Sequence, residues 1–70
     1  MASELTVGDR VSWNTSQGRT RGKVVERRTR DFEFDDQHFT ASAEDPKFIV
    51  ESDKTGARAA HQRSALRRLS

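Results

Sequence analysis

The sequence predicts an all-β protein, a small barrel of five short strands ended by a short C-terminal helical turn. Three observations lead there. Apolar residues alternate with polar ones in short clusters, Val11 with Trp13, Phe32 with Phe34, Phe39 with Ala41 and Phe48 with Val50, which is the period of a half-buried strand. A weaker cluster follows at Ala57, Ala59 and His61. No segment carries an apolar i, i+3, i+4, i+7 stripe long enough for three helical turns, and the nearest, residues 64–69, suits one turn of α- or 3₁₀-helix. Turn residues separate the clusters at short, regular intervals, as a small all-β barrel requires.

Each element has a local cause. Residues 1–6 are expected to form a flexible tail, with the barrel over 7–70. Gly8-Asp9 is a turn signal, because Gly accepts positive φ and Asp can bond its own downstream backbone. A first strand over residues 10–14 leads to a polar, long first loop at 14–18, and a second strand covers about 20–29. Gly22 inside it marks a bulge or a close backbone approach. A third strand begins at 31–34. Asp35-Asp36-Gln37 either turns the chain, with 38–41 returning, or lies within one continuing strand. Residues 42–46 form a loop, since Pro46 removes a donor and pushes Asp45 to extended geometry. Residues 47–52 make the central strand around Phe48-Ile49-Val50. The turn at 53–56 places Gly56 where φ is positive, residues 57–61 pair back, and 64–69 close the end.

The expected core is Val11, Trp13, Val24, Phe32, Phe34, Phe48, Val50, Ala59 and Leu66. Val25 and Ile49 fall at odd offsets, so they face the other side or cover the open end. Five short strands, a bent second strand and a terminal turn describe an SH3-like barrel, nearly closed and with few exposed edges.

Composition narrows the function. The chain has 70 residues, 31% apolar and 34% charged, a mixture that leans toward disorder. Its net charge is only +2 and its apolar residues are clustered, so it reads as one folded domain. A chain of this size buries only about 60–65% of the surface its unfolded form exposes. A catalytic cleft with support behind it is hard to build on so thin a core. There is no Cys, hence no disulfide, thiolate nucleophile or Cys-ligated zinc. No apolar run approaches a membrane span and residues 1–10 lack a signal-peptide pattern, so a soluble, cytoplasmic monomer is expected.

Several segments, taken in order, resemble one family. They are Gly8-Asp9-Arg10-Val11-Ser12-Trp13-Asn14, then Gly18-Arg19-Thr20-Arg21-Gly22-Lys23-Val24-Val25, then Ala41-Ser42-Ala43-Glu44-Asp45-Pro46-Lys47-Phe48-Ile49-Val50. Glu51-Ser52-Asp53-Lys54-Thr55-Gly56, Ala59-Ala60-His61 and Ser64-Ala65-Leu66 continue the series. Over about residues 8–69 the chain resembles the hypervirulence-associated Tudor-like domain, a small bacterial and fungal domain. The resemblance implies a Tudor- or SH3-like β-barrel, in agreement with the five-stranded reading, and carries no catalytic residues. The Gly8-Asp9-x-Val11 opening and residues 18–24 are also similar to the start of KOW modules.

Charge is blocked along the chain: net +4 over residues 1–30, −6 over 31–56 and +4 over 57–70. The basic candidates are Arg19, Arg21, Lys23, Arg27, Arg28 and Arg30 on the second strand and its flanks, with Arg58, Arg63, Arg67 and Arg68 near the C-terminus. If first and last strands are neighbours, these form one polyanion-binding face. Alternatively the acidic and basic strands pair across the sheet as an ordinary solvated surface. Trp13 and the four Phe invite an aromatic cage for a methylated cation, but all except Phe39 fit inward positions that a thin core needs. Phe39 is the one ring placed to be exposed, as a stacking platform or interface anchor.

His38 and His61, with Asp35, Asp36, Glu44 or Asp45, show no metal-ligand spacing, so no metal or cofactor is expected. Residues 18–23 carry Gly and Lys without the phosphate-loop spacing and lead into a strand rather than a helix. No nucleophile has a definable His–acid partner, so an enzyme is unsupported. The leading expectation is a non-enzymatic interaction module that binds a protein or peptide, with contact zones around residues 16–21 and 58–63. The alternative is weak, salt-sensitive RNA or DNA binding through the basic strand face. The candidate binding residues are Arg19, Arg21, Lys23, Arg27, Arg28, Arg58, Arg63 and Phe39.

Overall fold

A computed structural model describes residues 5–16 and 18–69. The strands are β1 (Arg10–Thr15), β2 (Gly18–Arg28), β3 (Phe32–Phe34), β4 (Gln37–Phe39), β5 (Lys47–Ser52), β6 (Arg58–Gln62) and β7 (Arg67–Arg68), with a 3₁₀ turn at Arg63–Ala65 before the last. All pairings are antiparallel. One sheet has the order β6-β5-β2-β1-β7, and β3 and β4 form a separate hairpin.

The expected all-β class and the boundaries of β5 hold, while the described residues form seven strands where five were expected, five in one sheet and two in the separate hairpin. The hairpin resolves the open alternative at residues 35–37: the chain turns there, with Phe34 paired to Gln37 and Asp35-Asp36 as a two-residue loop. Both aspartates take positive φ, 55° and 62°, as a type I′ turn demands. The C-terminal turn occupies Arg63–Ala65 rather than 64–69, and the residues after it pair with β1. The first loop is shorter than expected, because β1 and β2 remain paired out to Thr15 and Gly18. Gln17, part of that predicted loop, lies outside the described residues.

The main core is Val11, Trp13, Val24, Phe48, Val50 and Leu66, joined by Leu5 and flanked by Ala59. Leu5 corrects the expectation of a flexible tail through residue 6: it is 0% exposed. The Asp9 carboxylate accepts the Thr6 amide at 2.9 Å and the Gly8 amide donates to the Val24 carbonyl at 2.8 Å. These bonds fold the segment back onto β2, where an isolated Leu can be buried. Residues 1–4, the rest of that predicted tail, lie outside the described residues. Phe34 is only half-buried, against expectation, because it sits beside the turn of a two-stranded hairpin. Ile49 is 2% exposed although it faces away from Phe48 and Val50.

Gly22 has the role of close approach, not of bulge. It stands opposite Val11 on one side and Ser52 on the other. A Cβ there would overlap the Glu51 carbonyl oxygen and lie 2.8 Å from Cη2 of Trp13. The bulge falls three residues later, between Val24 and Glu26. Gly56 has φ 76°, and its amide closes the β5–β6 turn on the Ser52 carbonyl at 2.9 Å. The Trp13 and His61 rings lie 5.8 Å apart although β2 and β5 stand between their strands, so the sheet curls strongly. Hydrogen bonding between described strands does not close it. No helix among the described residues is long and apolar enough to cross a membrane.

Candidate functional site

The curl brings two hairpin tips together. The β1–β2 tip contributes Thr15, Ser16, Gly18, Arg19 and Thr20, and the β5–β6 tip contributes Ser52, Lys54, Thr55, Ala57 and Arg58. Between them lies a cleft of about 360 Å³, with Trp13 and Ala59 completing its lining. Its volume falls at the lower end of the range for small-ligand sites. Its position follows from alternation: Trp13 pairs with Thr20 and Val50 with Ala59, so their core-side row leads outward from the buried residues to the cleft.

Hydrogen bonds set the cleft walls. The Ser52 hydroxyl accepts the Lys54 amide at 3.2 Å and lies 3.5 Å from the Thr20 hydroxyl. The Thr55 hydroxyl accepts the Ala57 amide at 3.1 Å. Arg58 donates through Nε to Glu51 at 3.1 Å. Arg19 donates to the Ser12 hydroxyl at 3.1 Å and to Asn14 Oδ1 at 2.9 Å, neutral partners that leave its charge uncompensated.

The predicted basic set is only partly assembled. Arg19, Arg21 and Lys23 share the outer face of β2, and β7 places Arg67 beside Ser12, which has Arg21 on its other side. The expectation that the first and last strands are neighbours therefore holds. The face is interrupted, however, by acids from β5 and the turn after it. Glu51 stands between Lys23 and Arg58, and Asp53 pairs with Arg10. Cross-strand pairing of acidic and basic residues thus takes up part of the surface.

The other candidates lie elsewhere. Beyond the Val25 bulge the register shifts, so Arg27 stands opposite Phe48 while Glu26 and Arg28 alternate away from it. Arg28 pairs with Glu26 at 3.2 Å and its guanidinium lies 5.2 Å from the centre of the Phe32 ring. Arg63 donates to the Leu66 carbonyl at 2.9 Å and so holds the 3₁₀ turn. Phe39 is corrected from an exposed platform to a half-buried ring stacked on Phe32, with centroids 5.3 Å apart. The contact zones at 16–21 and 58–63, read as loops, are for the most part strand, and their near ends face each other across the cleft. Sequence reasoning missed Ser52, which looked like a strand end, and Lys54 and Thr55, which looked like mere turn residues. Their signal was the Ser/Thr content on both sides of a Gly-ended turn.

The two histidines do not come together. His38 lies 3.8 Å from Asp31 on the separate hairpin, and His61 packs beside Trp13. Burial lowers the His61 pKa below its ordinary value. Among the described residues no group of three or more His, Cys, Asp or Glu is placed to hold a metal.

No curated protein and no solved structure matches the chain. A family model described as the TUDOR domain of hypervirulence associated proteins matches residues 8–66. That span includes both hairpin tips and every strand of the main sheet except β7. The chain therefore belongs to the family of hypervirulence associated proteins' TUDOR domains, a Tudor-like domain of the kind that typically serves as an interaction module.

Proposed function

We propose that the chain is a non-enzymatic module, a monomeric SH3/Tudor-like barrel that holds an extended protein or peptide segment in the cleft between its two hairpin tips. The observation that carries this reading is the cleft itself, a concave site of about 360 Å³ on the curled sheet. Contact between Trp13 and His61 across the sheet supports the barrel form. Hydroxyls and backbone on the walls supply hydrogen bonds, while Ala57 and Ala59 supply apolar contact. The test is a displayed library of extended random peptides, screened against the native chain and Ala57→Trp. Ala57 is exposed and lines the cleft, so the larger side chain fills the site without entering the core. Selected peptides that lose binding to Ala57→Trp, with an unchanged unfolding midpoint, support the reading; undiminished binding overturns it.

A second reading has one observation in its favour. Arg21, Lys23 and Arg67 share an outer face with no carboxylate partner among the described residues. Weak nucleic-acid binding there would fall steeply with salt, as neutralised phosphates release counterions. Glu51 and Asp53 interrupt that face, and no large aromatic ring lies exposed on it, so the peptide reading stands first. Unchanged oligonucleotide affinity after Arg21→Glu with Lys23→Glu disposes of the second reading.

A further inference from the structure

We infer that the cleft recognises a phosphate monoester carried by an extended peptide, such as a phosphoserine, rather than a methylated cation. The inference rests on the peptide reading of this cleft and adds the chemistry of the group that anchors there.

None of the described residues that line the cleft carries a carboxylate. Its charged groups are all cations: Lys54, Arg58 and Arg19. Lys54 is exposed and has no carboxylate partner among the described residues. Arg58 spends Nε on Glu51, and a guanidinium has four further N–H donors.

The hydroxyls add to the same bias. Ser52 and Thr55 each accept a backbone amide, from Lys54 and Ala57 respectively. A hydroxyl that accepts from the backbone still has its own proton to donate. The Ser52 hydroxyl also shares a hydrogen bond with the Thr20 hydroxyl, which leaves one proton of that pair to donate. The cleft therefore presents donors: the Thr55 hydroxyl, one proton of the Ser52–Thr20 pair, an ammonium and the free edge of a guanidinium. These match an acceptor-rich anion. A phosphate monoester brings three acceptor oxygens and a charge of about −1.5 to −2, more than a single carboxylate offers.

A methylated ammonium meets the opposite conditions. It would face like charge, and cation–π binding requires open ring faces. Trp13, the one aromatic residue in the lining, is 4% exposed. A free phosphate ion would leave the apolar wall of Ala57 and Ala59 unused, whereas the residues next to a phosphoserine can lie against it. A nucleic acid strand lacks an exposed ring on which to stack a base here.

The test measures fluorescence anisotropy with three labelled peptide libraries, each degenerate around a fixed centre: phosphoserine, serine or trimethyl-lysine. The phosphoserine library is expected to bind at least about tenfold more tightly than its serine twin. Lys54→Ala and Arg58→Gln should each remove most of that gain, bringing the affinity for the phosphoserine library close to that for the serine library. Thermal unfolding of each variant establishes that it folds. Equal affinity for phosphoserine and serine overturns the phosphate inference and leaves the peptide reading standing. Tighter binding of trimethyl-lysine, or inorganic phosphate competing as well as the phosphoserine library binds, also overturns it. Silence from all three libraries removes the peptide reading as well.

Discussion

In the five-stranded sheet, residues from β1, β2 and β5 meet Leu5 and Leu66 in one shared core, and Phe48, Val11 and Val50 are all 0% exposed. In the β3–β4 hairpin, Phe32 and Phe39 stack on each other outside that cluster, below the Arg28 guanidinium. The sheet stands on contacts between residues distant in sequence. The hairpin stands on local devices: the Asp35-Asp36 turn, the ring stack, and the Asp31 carboxylate that accepts the Ala41 amide at 3.1 Å. The proposed cleft belongs to the sheet, with Trp13 and Ala59 running from the core into its wall. The site is thus built on the better-supported region. Substitutions in the sheet should unfold the whole chain, and substitutions in the hairpin should loosen it locally.

The largest break is in the shared core. Phe48→Ala should cost about 3–5 kcal/mol, comparable with the entire stability expected of a chain this small. Circular dichroism should show an unfolded or barely folded protein. Gly22→Ala should cost about 3 kcal/mol, because its Cβ has to displace the Glu51 backbone or Trp13. A urea titration with a much lower midpoint is expected. A midpoint near that of the native chain would mean that β2 and β5 can part without loss.

A smaller loss is expected from Phe39→Ala, about 1–2 kcal/mol for a half-buried ring. Hydrogen exchange should show faster opening of the hairpin amides while those of β2 and β5 keep most of their protection. Uniform loss of protection would erase the contrast between the two regions.

Acid probes the sheet from another side. Burial lowers the folded-state pKa of His61, so folding favours its neutral form. That contribution is fully present above the unfolded value of about 6.5 and is lost as pH falls through the folded value. The unfolding midpoint should drop between pH 7.5 and 5.5, and His61→Gln should flatten the profile in that window. The smallest effect is a gain. Asp36→Gly removes one side chain from the left-handed region and creates the preferred Asp-Gly turn, worth about 0.5–1 kcal/mol. It should slow exchange in the hairpin while leaving the sheet unchanged.

What could be read in advance follows the same division. Period-2 alternation located the core strands, since Phe48 and Val50 must point one way whatever their partners. Gly22 and Gly56 were legible because each meets a backbone demand that only a side chain of no size satisfies easily. Leu5 was not, because one apolar residue in a polar stretch has no period, and only the Thr6–Asp9 turn returns it to the core. The bulge at Val25 was not legible, because no Gly or other local signal marks it, and with it went the split between Arg19, Arg21 and Lys23 and the residues after them. The cleft was legible only as two zones of chain. Its donors at Ser52, Lys54 and Thr55 depend on curl bringing two remote turns together, a tertiary fact that local pattern does not hold.

The most direct test is a backbone amide titration of the isotopically labelled chain with the tightest phosphoserine peptide, at low and then physiological salt. Shifts gathered at residues 15–20 and 52–59, still present at the higher salt, are predicted. Shifts along Arg21, Lys23 and Arg67 that fade as salt is added, with the cleft residues unmoved, would contradict the account and make the outer face the binding surface.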